Sequence, residues 1–306
     1  MPGTIYDAFA NPALIYDEAP EHTSLLSKPP APLFLIHDGG GTTFNYHLLD
    51  NIDRPLWGIE NAHLHKGGWW DGGIAEMAAH YVDLLAKAKP EGGDIILGGW
   101  SLGGHLSLEM AHRIALAARN GSSRGSSRSS SSRRNSTDSD SSAASGMSAL
   151  SAPKFRVLGI IMIDTVYPKT LTEIRGPLPS DHVVLTPEQS KTMKLKDKVD
   201  LNMTHARMMV KEWELPRWTE DNLRVPPTIL LRAKEFVNRN PNGSFVDYTR
   251  DLRLLGWDKY VQENGNFIKE IVDIDGHHFS IFSEEHLEDI SQKIRDAADV
   301  VDPPDF

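Results

Sequence analysis

The chain has 306 residues, a formal charge of −10, 40% hydrophobic and 24% charged residues, and no cysteine. That balance belongs to a globular protein, and its acidity argues against a nucleic-acid partner, whose binding footprint is basic. Without thiols there are no disulfides, no thiolate metal sites and no cysteine nucleophile.

The length suits one α/β domain over residues 1–306. The opening MPGTIYDAFANPALIYDEAP lacks a basic stretch followed by an apolar one, so no secretory signal is read there. No run approaches the ~18 apolar residues of a membrane span. The expectation is a cytoplasmic protein without a membrane partner.

In chain order, Leu33–Ile36 is an apolar run entered through prolines and left through Gly39-Gly40-Gly41, which suits a buried strand leaving into a loop. Leu56–Ile59 is a second strand. Ile74, Met77, Ala78, Tyr81, Leu84 and Leu85 recur at helical spacing before Pro90 and Gly92 stop the segment. A strand at Ile95–Leu97 precedes a glycine-flanked turn and a helix from about His105 to Ala118. Val157–Ile163 reads as a central parallel strand, with Thr228–Leu231 and Ile271–Ile274 alike, and a last helix follows Ser283. Strands alternating with helices predict a mostly parallel sheet covered on both faces, with ligands at the carboxyl ends of the strands.

Two segments interrupt this alternation. From about 120 to 153 a Ser/Arg-rich stretch is too polar to pack and predicts a disordered surface insertion. Its Arg133-Arg134-Asn135-Ser136 has the look of a kinase substrate, although an inert loop is the plainer reading. From about 167 to 225, helix-like pieces carrying Met203, Met208, Met209, Trp213 and Trp218 predict a helical lid. Lys191, Lys194, Lys196 and Lys198 make part of it locally basic, which reads as a solvated helix face or as a steering patch for an acidic carrier protein.

Gly99-Trp100-Ser101-Leu102-Gly103 matches G-x-S-x-G in the setting that the motif requires, an apolar strand before and a helix after. Ser101 is the candidate nucleophile. A serine hydroxyl needs a base oriented by an acid. His277 and His278 follow the last strand, where the order serine, acid, histidine wants the base, and spacing leaves both open. Asp164 ends the apolar run Leu158–Ile163 and is the favoured acid, with Glu235 after Thr228–Leu231 as the competitor. The backbone of Leu102 supplies one oxyanion donor, and Gly39 in His37-Asp38-Gly39-Gly40-Gly41 the second. His105, Glu109 and His112 lack metal-site spacing and read as a polar face; His205 and His286 read as surface or cap residues.

Four stretches, LFLIHDGGGTTFNYHLL, ILGGWSLGGHLSLEMA, VLGIIMIDTVYP and IDGHHFSIF, together resemble the thioesterase domains that end polyketide and nonribosomal peptide synthesis, most closely fungal ones. The resemblance implies an α/β-hydrolase fold and a triad of Ser101, Asp164 and His278, which favours the second histidine of the pair. His277 departs from the aspartate often found at that place in the family. It also implies no resident cofactor. The substrate would be an acyl chain on the phosphopantetheine of an acyl or peptidyl carrier protein, passed to Ser101 and released by hydrolysis or cyclisation. The rival expectations are a carboxylesterase or lipase acting on free esters, and a non-catalytic binding protein of the same fold.

Overall fold

The computed structural model describes residues 10–17, 28–126, 154–168, 178–239 and 244–304, the side chains of 121–126 excepted. The serine-rich insertion from residue 127 onward, with its Arg133–Ser136 cluster, and part of the lid, 169–177, lie outside the described residues.

The apolar runs become strands because each can bury both faces at once. Strands β1 (Ala13–Tyr16), β2 (Leu33–Ile36), β3 (Leu56–Ile59), β4 (Gly93–Trp100), β5 (Phe155–Ile163), β6 (Thr228–Glu235) and β7 (Ile268–His277) form one sheet, ordered β1-β3-β2-β4-β5-β6-β7. Among the described residues only the edge pair β1/β3 is antiparallel. In β2, Phe34 and Ile36 enter one core while Leu33 and Leu35 enter the other, as the two-residue period of a strand demands. Helices α1 (Gly73–Ala88) and α2 (Leu102–Ser126) cover the first face; the last helix, Leu287–Val301, covers the second with Ile290, Ile294 and Ala298. The six apolar positions read as the inward stripe of α1 are all buried.

Two differences from the sequence reading have local causes. Helix α2 starts at Leu102, three residues before the expected His105, and passes the expected end at Ala118 and the start of the insertion at Asn120 to reach Ser126. Gly103 and Gly104 do not break it because nothing larger fits: a Cβ would meet the Ile36 carbonyl oxygen at 2.2 Å and the Thr165 hydroxyl at 2.1 Å. Beyond the exposed residues 117–120 it runs on to Ser126, since adding a turn to a formed helix costs little. Strand β1 was not expected; Ala13, Leu14 and Tyr16 pair with β3 around an irregularity at Ile15, and the Tyr16 hydroxyl donates to the Leu49 carbonyl at 2.6 Å.

Between β5 and β6 the chain forms α3 (Pro187–Thr192) and α4 (Leu195–Glu212). Thr186 and Gln189 close a reciprocal cap on α3. The lysine-rich stretch is therefore not one solvated helix face: Met193 and Lys194 separate the two helices, and Lys198 is buried with its Nζ 3.4 Å from His65 Nδ1. A short α5 (Asp258–Glu263) precedes β7, and Leu287–Val301 is α6. Among the described residues no helix is long and apolar enough to cross a membrane.

Candidate active site

Strands β4 and β5 run in register so that Trp100 pairs with Ile163, which makes Ser101 and Asp164 the first residues beyond neighbouring strand ends. Both take left-handed backbone, φ 55° at Ser101 and 44° at Asp164, a conformation that non-glycine residues hold only under local constraint. Constraint at Ser101 is visible. Its N–H donates to the Ile163 carbonyl at 2.9 Å, and its carbonyl accepts from the Gly104 N–H at 3.2 Å and the Thr165 hydroxyl at 3.1 Å. Gly99 leaves the turn room, since a Cβ there would sit 2.5 Å from the Ile36 oxygen. The hydroxyl of Tyr46 ties the neighbouring strand ends together, donating to Ile36 and accepting from the Trp100 N–H.

Asp164 is fully buried and every hydrogen bond to it is directed. Oδ1 accepts from the Ala233 N–H at 2.9 Å and Arg250 Nη1 at 2.5 Å; Oδ2 accepts from Arg250 Nη2 at 2.7 Å and His278 Nδ1 at 2.7 Å. Burial by itself would raise this carboxyl, but the hydrogen bonds and charges of Arg250 and His278 hold it well below the usual carboxylate range. An ionised carboxylate only accepts, so Nδ1 of His278 carries a proton, which directs Nε2 away from Asp164. The imidazole is buried beside the Trp100 ring, centroids 5.4 Å apart, and lies edge-on to Phe279.

The structure thus brings Asp164 and His278 into contact. Glu235 does not join them; it is exposed at the end of β6, opposite His277 in the ladder. His277 is spent on a turn, its N–H donating to the Ser280 hydroxyl at 2.9 Å and its Nδ1 accepting from the Phe279 N–H at 3.2 Å.

Gly39, Leu102 and Ser101 line one narrow cavity of about 40 Å³, roofed by α4 through Met203 and Val210. The cavity is small against the roughly 300–1,000 Å³ of ligand pockets. Asp38 lies beside the cavity wall with Oδ1 accepting from the Gly40 N–H at 3.0 Å. Burial pushes its carboxyl up to about 6, against the pull of the Gly40 amide and the charge of His278. His37 anchors the same loop: its Nε2 meets the Tyr81 hydroxyl at 2.6 Å, and burial lowers it to about 4.

One residue that holds the lid, His205, had been placed on the surface by the sequence. His205 is buried, not a surface or cap residue, with Nδ1 2.6 Å from the Gly67 carbonyl and Nε2 accepting from the Val183 N–H at 3.1 Å. Asn202 reaches the Leu64 carbonyl, and Trp69 stacks on His182 at 4.4 Å. His105, Glu109 and His112 are likewise buried instead of forming a solvent-facing polar stripe. His105 meets the Val166 carbonyl, Glu109 accepts from Arg113 and Trp213, and His112 pairs with Asp221. Among the described residues no cluster could hold a metal ion. His286 stands at the N-cap of α6.

Arg250 and the Asp38 carboxyl went unread in the sequence. Arg250 sits in an irregular stretch with no periodicity to mark it. Asp38 was within the noted glycine run, where attention fell on the backbone.

The chain is 35% identical to the thioesterase frbE of a Dothideomycetidae species over 90% of its own length and 92% of that protein. It belongs to this thioesterase family. The thioesterase is also 30% identical, over 88% of its length, to a segment making up 8% of the nonribosomal peptide synthetase imqB of Aspergillus flavus. Among solved structures it superposes on the NocB thioesterase domain, crystallised as a covalent complex with a fluorophosphonate nocardicin G analogue. That match has a TM-score of 0.53 and 20% identity over 87% of this chain and 94% of that one, and it shows the shared α/β-hydrolase fold. The sequence matches no family profile.

Proposed function

We propose that this thioesterase works through a seryl acyl-enzyme on Ser101. The contact between Asp164 and His278, at 2.7 Å and beyond the end of the strand next to Ser101, carries the reading. With Nδ1–H committed to Asp164, Nε2 of His278 takes the proton from the Ser101 hydroxyl as its oxygen attacks the thioester carbonyl. The N–H groups of Leu102 and Gly39 receive the oxyanion, in a wall where the glycine lets backbone approach the substrate. The C–S bond then breaks, and the departing sulfur takes the proton from His278. Water, or a hydroxyl or amine further along the acyl chain, attacks the serine ester with the same histidine as base, giving an acid or a ring.

The thioester is delivered on the phosphopantetheine of a carrier protein. This extends to the chain what the likeness to part of a nonribosomal peptide synthetase supports. Release of a peptide or polyketide chain is the reaction class that follows.

The test is mass spectrometry of the protein after incubation with a fluorophosphonate and with carrier-bound acyl groups, against Ser101→Ala. A covalent adduct on Ser101 and turnover of carrier-bound thioesters ahead of oxygen esters are expected. An adduct elsewhere, or a strong preference for free oxygen esters, defeats the proposal.

A further inference from the structure

Helix α4 presents Met203, Ala206, Arg207 and Val210 to the cavity beside Ser101. These positions follow the i, i+3, i+4, i+7 spacing of one helical face, the face a lid helix normally keeps apolar. Three of the four obey that rule and Arg207 does not. The rest of the wall sharpens the exception: Leu102, Val166 and Val246 are apolar. The other cavity-lining side chain with a titratable group, His105, already has the Val166 carbonyl at 2.9 Å.

Arg207 has little that would explain its place structurally. Its Nε donates to the Met203 carbonyl one turn back, at 3.3 Å, and among the described residues no carboxylate pairs with it. The contrast with Arg250 is instructive, since that guanidinium is matched to a carboxylate through both Nη atoms. Arg207 is half-buried, so part of it still meets water, but its guanidinium faces an otherwise apolar wall without a carboxylate, and a guanidinium fork fits a carboxylate through two parallel hydrogen bonds.

We propose that Arg207 selects acyl chains bearing a carboxylate, which it receives while the chain runs from Ser101 beneath α4. The inference rests on Ser101 being the acylated residue and adds the class of substrate. Closure of α4 on such a chain joins the charge pair and the apolar contacts of Met203 and Val210 in one movement, so recognition of the chain and exclusion of water come together.

The test compares N-acetylcysteamine thioesters of matched chain length ending in a carboxylate or in a methyl group. The wild-type protein is expected to favour the carboxylate series in kcat/KM by roughly 10- to 100-fold, the range for a hydrogen bond to a charged group. Arg207→Gln should bring the ratio within one variant close to unity, and Arg207→Glu should invert it. Reading a ratio makes the result independent of how much active protein each variant yields. Equal rates in the wild type, or a carboxylate preference that survives Arg207→Gln, overturns the proposal. So does an effect of Arg207→Gln seen only with phosphopantetheine thioesters, which would assign the guanidinium to the arm's phosphate. Binding of the corresponding amides to Ser101→Ala, measured by calorimetry, separates this idea from the catalytic one. Carboxylate-selective binding without turnover of either series would sink the role of Ser101 and keep that of Arg207; unselective binding would sink the role of Arg207.

Discussion

Arg250 holds Asp164 from behind through both terminal nitrogens, at 2.5 and 2.7 Å, while the same carboxylate accepts from His278 on its other side. Neither partner is exposed, and Arg250 Nη1 also donates to the Ala233 carbonyl at 3.0 Å. The pair therefore fixes the carboxylate's orientation before any substrate arrives. Removing the arginine leaves a buried anion with too few donors. Arg250→Met is predicted to cost about 3–5 kcal/mol, the range for breaking one side of a buried pair, as read from denaturant unfolding. Arg250→Lys keeps the charge but not the fork, and should recover part of the stability while turnover stays impaired.

The same carboxylate sets a sign for acid stability. Its folded-state affinity for a proton is depressed by Arg250 and His278 against the contrary effect of burial, so folding favours the ionised form. The stabilisation is full above the unfolded carboxylate pKa of about 3.9 and is lost as pH falls below it. Unfolding midpoints measured across this range should fall more steeply for the wild type than for Asp164→Asn. At neutral pH that variant should lose roughly 10⁴-fold in turnover, the scale of misorienting a catalytic histidine.

Asp38 has the opposite sign. Burial raises its carboxyl to about 6, so the folded state binds this proton more tightly than the unfolded chain does. Its contribution to stability is present below about 4 and declines as pH rises toward 6. Asp38→Asn is predicted to gain on the wild type at neutral pH and to lose that gain in acid, measured by thermal unfolding. Its ionisation also places a negative charge near His278, so the variant should lack a step near pH 6 in the kcat/KM profile. An unchanged profile would separate Asp38 from the chemistry.

The lid should respond to His205. Because Nε2 accepts from the Val183 N–H while Nδ1 faces the Gly67 carbonyl, the ring must be neutral, and burial lowers its pKa in keeping with that. His205→Phe removes both bonds while roughly keeping the volume. Hydrogen exchange at Val183 and along α4 is predicted to accelerate by about 10-fold for each 1.4 kcal/mol of tether lost, with the central sheet unchanged.

The residues that local chemistry alone could name were legible in the sequence. Apolar runs short enough for strands became strands, and the strand, tight turn and helix around Ser101 formed because glycine is the one residue that fits at Gly99 and Gly103. The start of α2 was misread from the same glycines, taken as interruptions where close packing against Ile36 makes them necessary.

What the sequence determined by itself, then, was the six parallel strands, their alternation with the main helices and the place of the serine, all of which depend on neighbours within a few positions. Tertiary structure decided which carboxylate meets which imidazole. Asp164, not Glu235, touches His278 because β5 lies beside β4 in a register that ends both strands together, while β6 carries Glu235 out to solvent. It also set His278 and not its neighbour against Asp164, turned Arg250 onto Asp164 across 86 residues of chain, and buried His205 of the lid against Gly67 and Val183. Such contacts form between segments that meet only when the sheet is assembled, so their energy is a property of the packed whole and leaves no periodic mark in the chain.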